Sequence, residues 1–434
     1  MNTSPRFATL QEWLAWQQGL HPKAVDLGLE RLTSVMQRMG LAQPEYTVIT
    51  VGGTNGKGSC VAMLESILRA GHYHVGAYTS PHLLRYNERI RINGLEISDA
   101  ELCRAFARID AARADISLTF FEFGTLAAFD IFSRAEIDVA VLEVGLGGRL
   151  DAVNALDADA ALITTIDIDH VDWLGPDRAS IGYEKAGIYR AGKPAICADP
   201  QPPSTLLEHA HRIGAKLYLY NKDYGFKQHN GFWTWWSDTI SFNALPVLQL
   251  TGRHQYANAA SVLMGLVALT ERLPLNTTAV QTGLSQAHIP ARFQIISGPV
   301  EWILDVAHNP QGVAILGRCL TARSCSGKTR AVVGILSDKN AAAIAQNLKD
   351  NVDQWYAVTL KGARGRTAEQ LADELRTAGC HGPIACFESV ADACYAAAQD
   401  AEQGDRIVVF GSFYTVAAAL ETGLVEELTS GQET

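Results

Sequence analysis

The stretch VITVGGTNGKGSC, Val48 to Cys60, decides how the rest of the chain is read. An apolar strand runs into a glycine-rich turn, and CVAMLESILRAG (Cys60–Gly71) then has the pattern of a helix that stops at Gly71. That order is the context a phosphate loop needs. Glycines let backbone N–H groups approach phosphate oxygens, the helix N-terminus adds positive potential, and Lys57 supplies a mobile charge. The spacing departs from the common G-x-x-x-x-G-K-[ST] pattern, in which the hydroxyl directly follows the lysine. Here Gly58 follows Lys57 and the hydroxyl arrives one place later, at Ser59. The plainer alternative is a tight strand-to-helix turn with no ligand.

Outward from this loop, short runs rich in Val, Ile and Leu alternate with helical patterns. DVAVLEVG (Asp138–Gly145), ALITTID (Ala161–Asp167) and PAICAD (Pro194–Asp199) read as strands of a parallel sheet covered on both faces. A second series follows residue 297: EWILDVA, RAVVGIL, WYAVTL, PIACFE and DRIVVFG, with helices such as TAEQLADELRTAG between them. This half reads as a second, Rossmann-like doubly wound sheet. GFKQHNGFWTWWSDTISF (Gly225–Phe242) reads as antiparallel strands around a turn. The expected fold class is therefore α/β: a phosphate-loop ATPase-type parallel sheet domain over 1–296 and a Rossmann-like α/β domain over 297–434. The boundary is expected where turn residues cluster, at Ser297-Gly298-Pro299.

The bulk properties agree with two domains, since 434 residues exceed what one core usually serves. A net charge of -10 argues against nucleic-acid or anionic-membrane partners. The N-terminus lacks the features of a signal peptide, and no run of 18 apolar residues marks a membrane span. The eight cysteines are scattered without a C-x-x-C pair, so a reducing cytoplasm is the simpler expectation than disulfides or structural zinc.

GTNGKGS (Gly53–Ser59) resembles the loop of the Mur ligase superfamily, whose members form amide bonds with ATP. Within it, the chain resembles the folylpolyglutamate synthase and dihydrofolate synthase family, bifunctional type, over nearly its whole length. The resemblance rests on TSPHLLRYNERIRING (Thr79–Gly94), DISLTFFEFGTLAAF (Asp115–Phe129), VLEVGLGGRLDAVN (Val141–Asn154) and DHVDWLGPDRASIGYEKAGIYR (Asp169–Arg190). GRHQYANA (Gly252–Ala259), ARFQ (Ala291–Gln294), LDVAHNP (Leu304–Pro310) and VFGSFYTV (Val409–Val416) continue it in order.

The resemblance implies a reaction: ATP phosphorylates the acceptor carboxylate, and the amine of L-glutamate attacks the acyl phosphate. It implies two magnesium sites, with manganese able to substitute, built from Ser80, Glu143, His170 and Lys185, the last as a carbamate. Glu143 at the end of an apolar strand is costly to bury unpaired; on the residues alone it would also read as a salt-bridged or surface glutamate, and the resemblance is what assigns it to magnesium. Ser80 alone would read as a turn serine, His170 as a structural histidine, and Lys185 as a surface lysine. For ATP the resemblance implies Thr54, Asn55, Gly56, Lys57, Gly58 and Ser59 around the phosphates. Asn258 falls on the base side, Arg292 on phosphate and Asp305 on ribose, with the nucleotide between the domains; His308 is a catalytic candidate on the same turn as Asp305. For 7,8-dihydropteroate and tetrahydrofolates it implies Thr119, Phe120, Phe121 and Glu122 with Leu150, Asp151 and Ala152, and DLGLERL (Asp26–Leu32) nearby. Stacked aromatics suit a flat pterin, whereas the same phenylalanines would also serve as plain core. Two positions depart from the family pattern: Ala291 and Val306 stand where glycine is usual. A monomer acting on small molecules is expected. A synthase that only extends polyglutamates, a cell-wall ligase and a small-molecule kinase are the rival readings.

Overall fold

The structure, a computed structural model, describes residues 5–423. The chain forms two compact units, one comprising residues up to Gln249 together with Gln255–His288, the other Leu250–His254 and the residues from Ile289 onward.

The first unit is built on eight strands: β1 Thr47–Gly52, β2 Val75–Tyr78, β3 Ile90–Ile92, β4 Leu95–Glu96, β5 Val139–Glu143, β6 Ala160–Ile163, β7 Pro194–Cys197 and β8 Lys216–Leu219. Their order is β4-β3-β2-β5-β1-β6-β7-β8. The pairs from β2 to β8 are parallel, while β3 and β4 add an antiparallel edge. β1 and β5 are buried at every position, as strands covered on both faces must be. The chain order reverses direction around β1, and the carboxyl ends of β1 and β5 lie side by side with Val51 opposite Glu143. In open α/β sheets ligands bind at such a switch point.

A three-stranded antiparallel meander follows: β9 Tyr224–Gln228, β10 Phe232–Ser237 and β11 Ser241–Pro246. Alternation along β10 buries Trp233 and Trp235 completely, and each indole N–H finds a carbonyl, of Pro246 and Ala260 respectively. The antiparallel strands expected around a turn are thus three strands and two turns.

The second unit carries β12 Gln294–Ile296, β13 Glu301–Leu304, β14 Thr329–Val333, β15 Gln354–Val358, β16 Ile384–Phe387 and β17 Arg406–Phe410 in the order β12-β13-β17-β14-β15-β16. All pairs are parallel except β12 with β13. Helices in both units start on side-chain caps, as at Thr119, Asn309, Thr367 and Ser412, which satisfy otherwise orphan N–H groups.

Candidate active site

β1 delivers the chain into the glycine turn, and Gly56 opens the helix Lys57–Ala70 with φ 95°. Gly53 cannot be replaced without disruption, because a Cβ there would meet the Thr164 hydroxyl at 1.8 Å while φ is 132°. Thr54 is fastened by its N–H to the Thr165 carbonyl at 2.7 Å, and its hydroxyl donates to the Asp167 carbonyl. The hydroxyl of Thr165 in turn donates to the Asn55 carbonyl at 3.3 Å. Lys57 folds back so that its Nζ donates to the carbonyls of Gly53 and Thr54, at 3.0 and 3.1 Å. Ser59 is buried and accepts from Gln255 Nε2 at 3.3 Å, and Asn258 Nδ2 donates to Gln255 Oε1 at 3.0 Å. Gln255, which the motif reading did not single out, therefore ties the late hydroxyl of the loop to Asn258.

Lys185 is 4% exposed and donates to the same Gly53 carbonyl at 3.0 Å. Burial, and then the charge of Lys57, pushes its amine down to about 7, against the pull of Asp169 and Asp151. The plain surface-lysine reading is thereby excluded.

Glu143 ends β5, is buried, and accepts from the Ser80 backbone N–H at 3.2 Å. His170 is exposed, sits at φ 53°, and has its Nε2 3.9 Å from Asp169 Oδ2. The donor chemistry can be tested against a divalent cation. A buried carboxylate next to a serine fits the oxygen preference of magnesium, and an amine at Lys185 fits only after conversion to an oxygen donor. His170 supplies nitrogen, an unusual magnesium ligand, with an oxygen donor beside it in Asp169. Among the described residues no three acidic, His or Cys side chains converge into a complete cage. Magnesium commonly takes its remaining ligands from phosphates and water.

Thr119 and Glu122 form a reciprocal cap on the helix Phe120–Arg134, with the Thr119 N–H on Glu122 Oε2 at 2.7 Å. Arg31 reaches the other Glu122 oxygen at 3.1 Å and also pairs with Asp26, so the DLGLERL segment packs on this helix start. Phe123 is core, whereas Phe120 and Phe121 are only partly buried. A Cβ on Gly145 would meet the Phe121 ring at 2.5 Å, so that glycine admits the ring beside the end of β5. Leu150 is partly buried and Ala152 buried. Asp151 accepts from the N–H groups of Leu146 and Val153 at 2.8 and 3.0 Å, and burial pushes its carboxyl up to about 6. Its oxygens hold the loop after β5, a role the motif alone does not reveal.

In the second unit, Asp305 is partly buried and accepts from the N–H groups of Phe293 and Ala307 at 2.8 and 2.7 Å. Burial raises its carboxyl, with Arg292 opposing. Arg292 lies over the Phe413 ring at 5.2 Å, and His308 stands 6.2 Å from the same ring with Nδ1 2.8 Å from the Val306 carbonyl. Ala291 has φ 56°, the left-handed region that glycine tolerates best, so the departure from glycine places a side chain where backbone strain results.

Residues 51–265 match the Mur ligase middle domain, and residues 291–413 match the Mur ligase glutamate ligase domain. The chain is 45% identical over 412 residues to the dihydrofolate synthase/folylpolyglutamate synthase of Escherichia coli, covering 95% of each. The structure of E. coli FolC in complex with DHPP and ADP superposes with a TM-score of 0.93 at 44% identity, covering 98% of this chain and 100% of that one. The bifunctional folylpolyglutamate synthase/dihydrofolate synthase from Yersinia pestis complexed with AMPPNP and Mn ion gives 0.90 at 45% identity, covering 97% and 99%. With two Mur ligase domains and near full-length similarity at this identity, the chain belongs to the dihydrofolate synthase/folylpolyglutamate synthase family of Mur ligases.

Proposed function

We propose that the chain is an ATP-dependent ligase that joins L-glutamate to 7,8-dihydropteroate and adds further glutamates to tetrahydrofolates. One observation carries the reading: the phosphate loop, buried Lys185 and the Ser80–Glu143 pair meet at the ends of β1 and β5, beside partly buried Phe121. That arrangement supports bringing a nucleotide phosphate to a carboxylate on a flat aromatic acceptor. The relatives' complexes with ADP and DHPP and with AMPPNP and Mn support the same substrates and a divalent metal.

In this reading the acceptor carboxylate oxygen attacks the γ-phosphorus of ATP and ADP leaves. The glutamate amine then attacks the acyl carbon of the acyl phosphate, loses a proton, and phosphate departs. Lys57 turns from the loop carbonyls to the phosphates, and Thr54–Ser59 wrap them, with the N–H groups at the start of the helix Lys57–Ala70 as donors. Ser80 and Glu143 hold one magnesium; His170 and carbamylated Lys185 serve a second, with manganese as substitute. Bound there, the metal supplies charge neutralisation for the phosphate oxygens. Burial beside Lys57 favours the neutral Lys185 amine that adds carbon dioxide. Thr119–Glu122 and Leu150–Ala152 frame the pterin. We assign residues 1–296 to an ATP-binding domain and 297–434 to a glutamate-ligase domain; Arg292, just before that boundary, serves the nucleotide and transfer with Asp305 and His308, and Asn258 serves the base. The enzyme works as a cytoplasmic monomer; among the described residues no helix is long and apolar enough to cross a membrane.

Product mass spectrometry tests the reading. Purified protein with ATP, magnesium and L-glutamate should glutamylate both dihydropteroate and tetrahydrofolate. Product from tetrahydrofolate alone would reduce the activity to polyglutamate extension. ATP consumption without glutamate dependence would indicate a kinase.

A further inference from the structure

We propose that Arg89 binds the carboxylate of the acceptor substrate; this names a binding residue for the reaction proposed above and rests on that reading. Arg89 ends the short helical turn Tyr86–Arg89 and is 8% exposed. Its Nε donates to His82 Nδ1 at 2.8 Å, which requires the His82 ring to be neutral there. The guanidinium lies 5.3 Å from the centre of the Tyr86 ring and 5.7 Å from that of Phe120, and the Tyr78 hydroxyl is its other polar neighbour.

Among the described residues no carboxylate lies within the 4.0 Å of an ion pair. The contrast with its neighbours in the chain is sharp. Arg85 pairs with Asp99 at 3.2 Å and Arg91 with Glu65 at 2.9 Å. Glu88 is adjacent in sequence, but its carboxylate is taken by the N–H groups of Leu83, Leu84 and Arg85, each at 2.6 Å. The Tyr86 hydroxyl is likewise buried with no hydrogen-bond partner. A buried cation without a counter-anion is costly to keep. Neutral rings and one imidazole offset only part of that cost, and they leave the terminal N–H fork without an anion.

The place of Arg89 identifies the anion. On one side its guanidinium touches Phe120, the neighbour of Phe121 at the end of β5. On the other its carbonyl accepts from the Thr79 N–H at 2.9 Å, one residue before Ser80, which bonds Glu143. Arg89 thus meets the aromatic pair through its guanidinium and the segment that carries Ser80 through its backbone carbonyl. A planar guanidinium matches a carboxylate through two parallel hydrogen bonds. The fitting ligand is an aryl or glutamyl carboxylate on a flat ring system, held while one oxygen attacks phosphorus.

Calorimetric binding of dihydropteroate and of its carboxamide, which keeps the rings and removes the charge, tests this. Wild type should prefer the acid by about 10–100-fold, the range of hydrogen bonds to a charged group. Arg89→Gln should bring that ratio close to one, mostly by weakening the acid, and Arg89→Lys should recover part of it. Arg89→Met tests a purely structural role: ligand-free protein should keep or raise its Tm, because an unpaired charge has been removed. Unchanged discrimination in Arg89→Gln, or a Tm drop in Arg89→Met with discrimination intact, would overturn the proposal. Wild-type glutamylation of dihydropteroate, measured in parallel, separates the two levels. If it occurs while discrimination survives the Arg89 variants, only the arginine's role fails; if it does not occur, the proposed function fails and takes this role with it.

Discussion

Glu143 shows how much a single residue can be made to answer for. It ends a fully buried strand, lies in register with Val51 just before the glycine turn, and accepts from Ser80. Its charge also raises the thiol of buried Cys60, whose main cause of elevation is burial itself. Glu143→Gln keeps the shape and removes the charge. Turnover should fall by about 100-fold or more, because charge stabilisation at a phosphoryl-transfer site is a large term. The Tm should stay near that of wild type, and wild-type turnover in this variant would sink the metal assignment. Glu143, Lys57 and Lys185 could be singled out in the sequence because the motifs that carry the resemblance fix residue type and spacing. Gln255 and Arg89 could not, since the first bonds a partner far along the chain and the second has no carboxylate beside it among the described residues. Gln255 meets Ser59 across 196 positions, a relation no local pattern contains.

At the scale of elements, the long apolar strands β1, β5, β14 and β17 were readable because continuous burial leaves a continuous apolar run. The short edge strands β3 and β4 were not, as three and two residues carry too little pattern. ALITTID was read as strand to Asp167, yet β6 ends at Ile163, because the following residues bond the phosphate loop instead. The segment Leu250–His254 gives an element-scale prediction. His254 is held down to about 4 by burial first and by Arg318 second. The folded state therefore keeps the ring neutral, while the unfolded chain takes up a proton below about 6.5. The contribution is fully present above that pH, declines as pH falls towards about 4, and is lost below it. Partial exposure reduces the full shift to about 2 kcal/mol. Urea unfolding should show this slope in wild type and a shallower one in His254→Gln; parallel slopes would refute the assignment.

At the scale of the whole molecule, each unit is packed by its own device. In the first unit the helices Lys57–Ala70 and Thr277–Gln286 approach so closely that a Cβ on Gly283 would meet the Ile67 backbone at 2.3 Å. In the second, buried Asp405 pairs with buried Arg330 and also accepts from the N–H groups of Lys328 and Glu402, at 2.6 and 2.8 Å. Gly283→Val forces the two helices apart and should cost about 1–3 kcal/mol, as overpacking does. Asp405→Ala leaves a buried guanidinium and two N–H groups without their acceptor, and should cost about 3–5 kcal/mol. Because each change acts on its own sheet and its own core, the two costs should add in the double variant to within about 0.5 kcal/mol. Hydrogen exchange by mass spectrometry can read the two sheets separately. Gly283→Val should speed exchange in β1 and β5 and spare β14 and β17, with Asp405→Ala doing the reverse. Faster exchange across both sheets from either single change would mean that the two units unfold as one cooperative body, and that their separate cores do not set the stability of the chain.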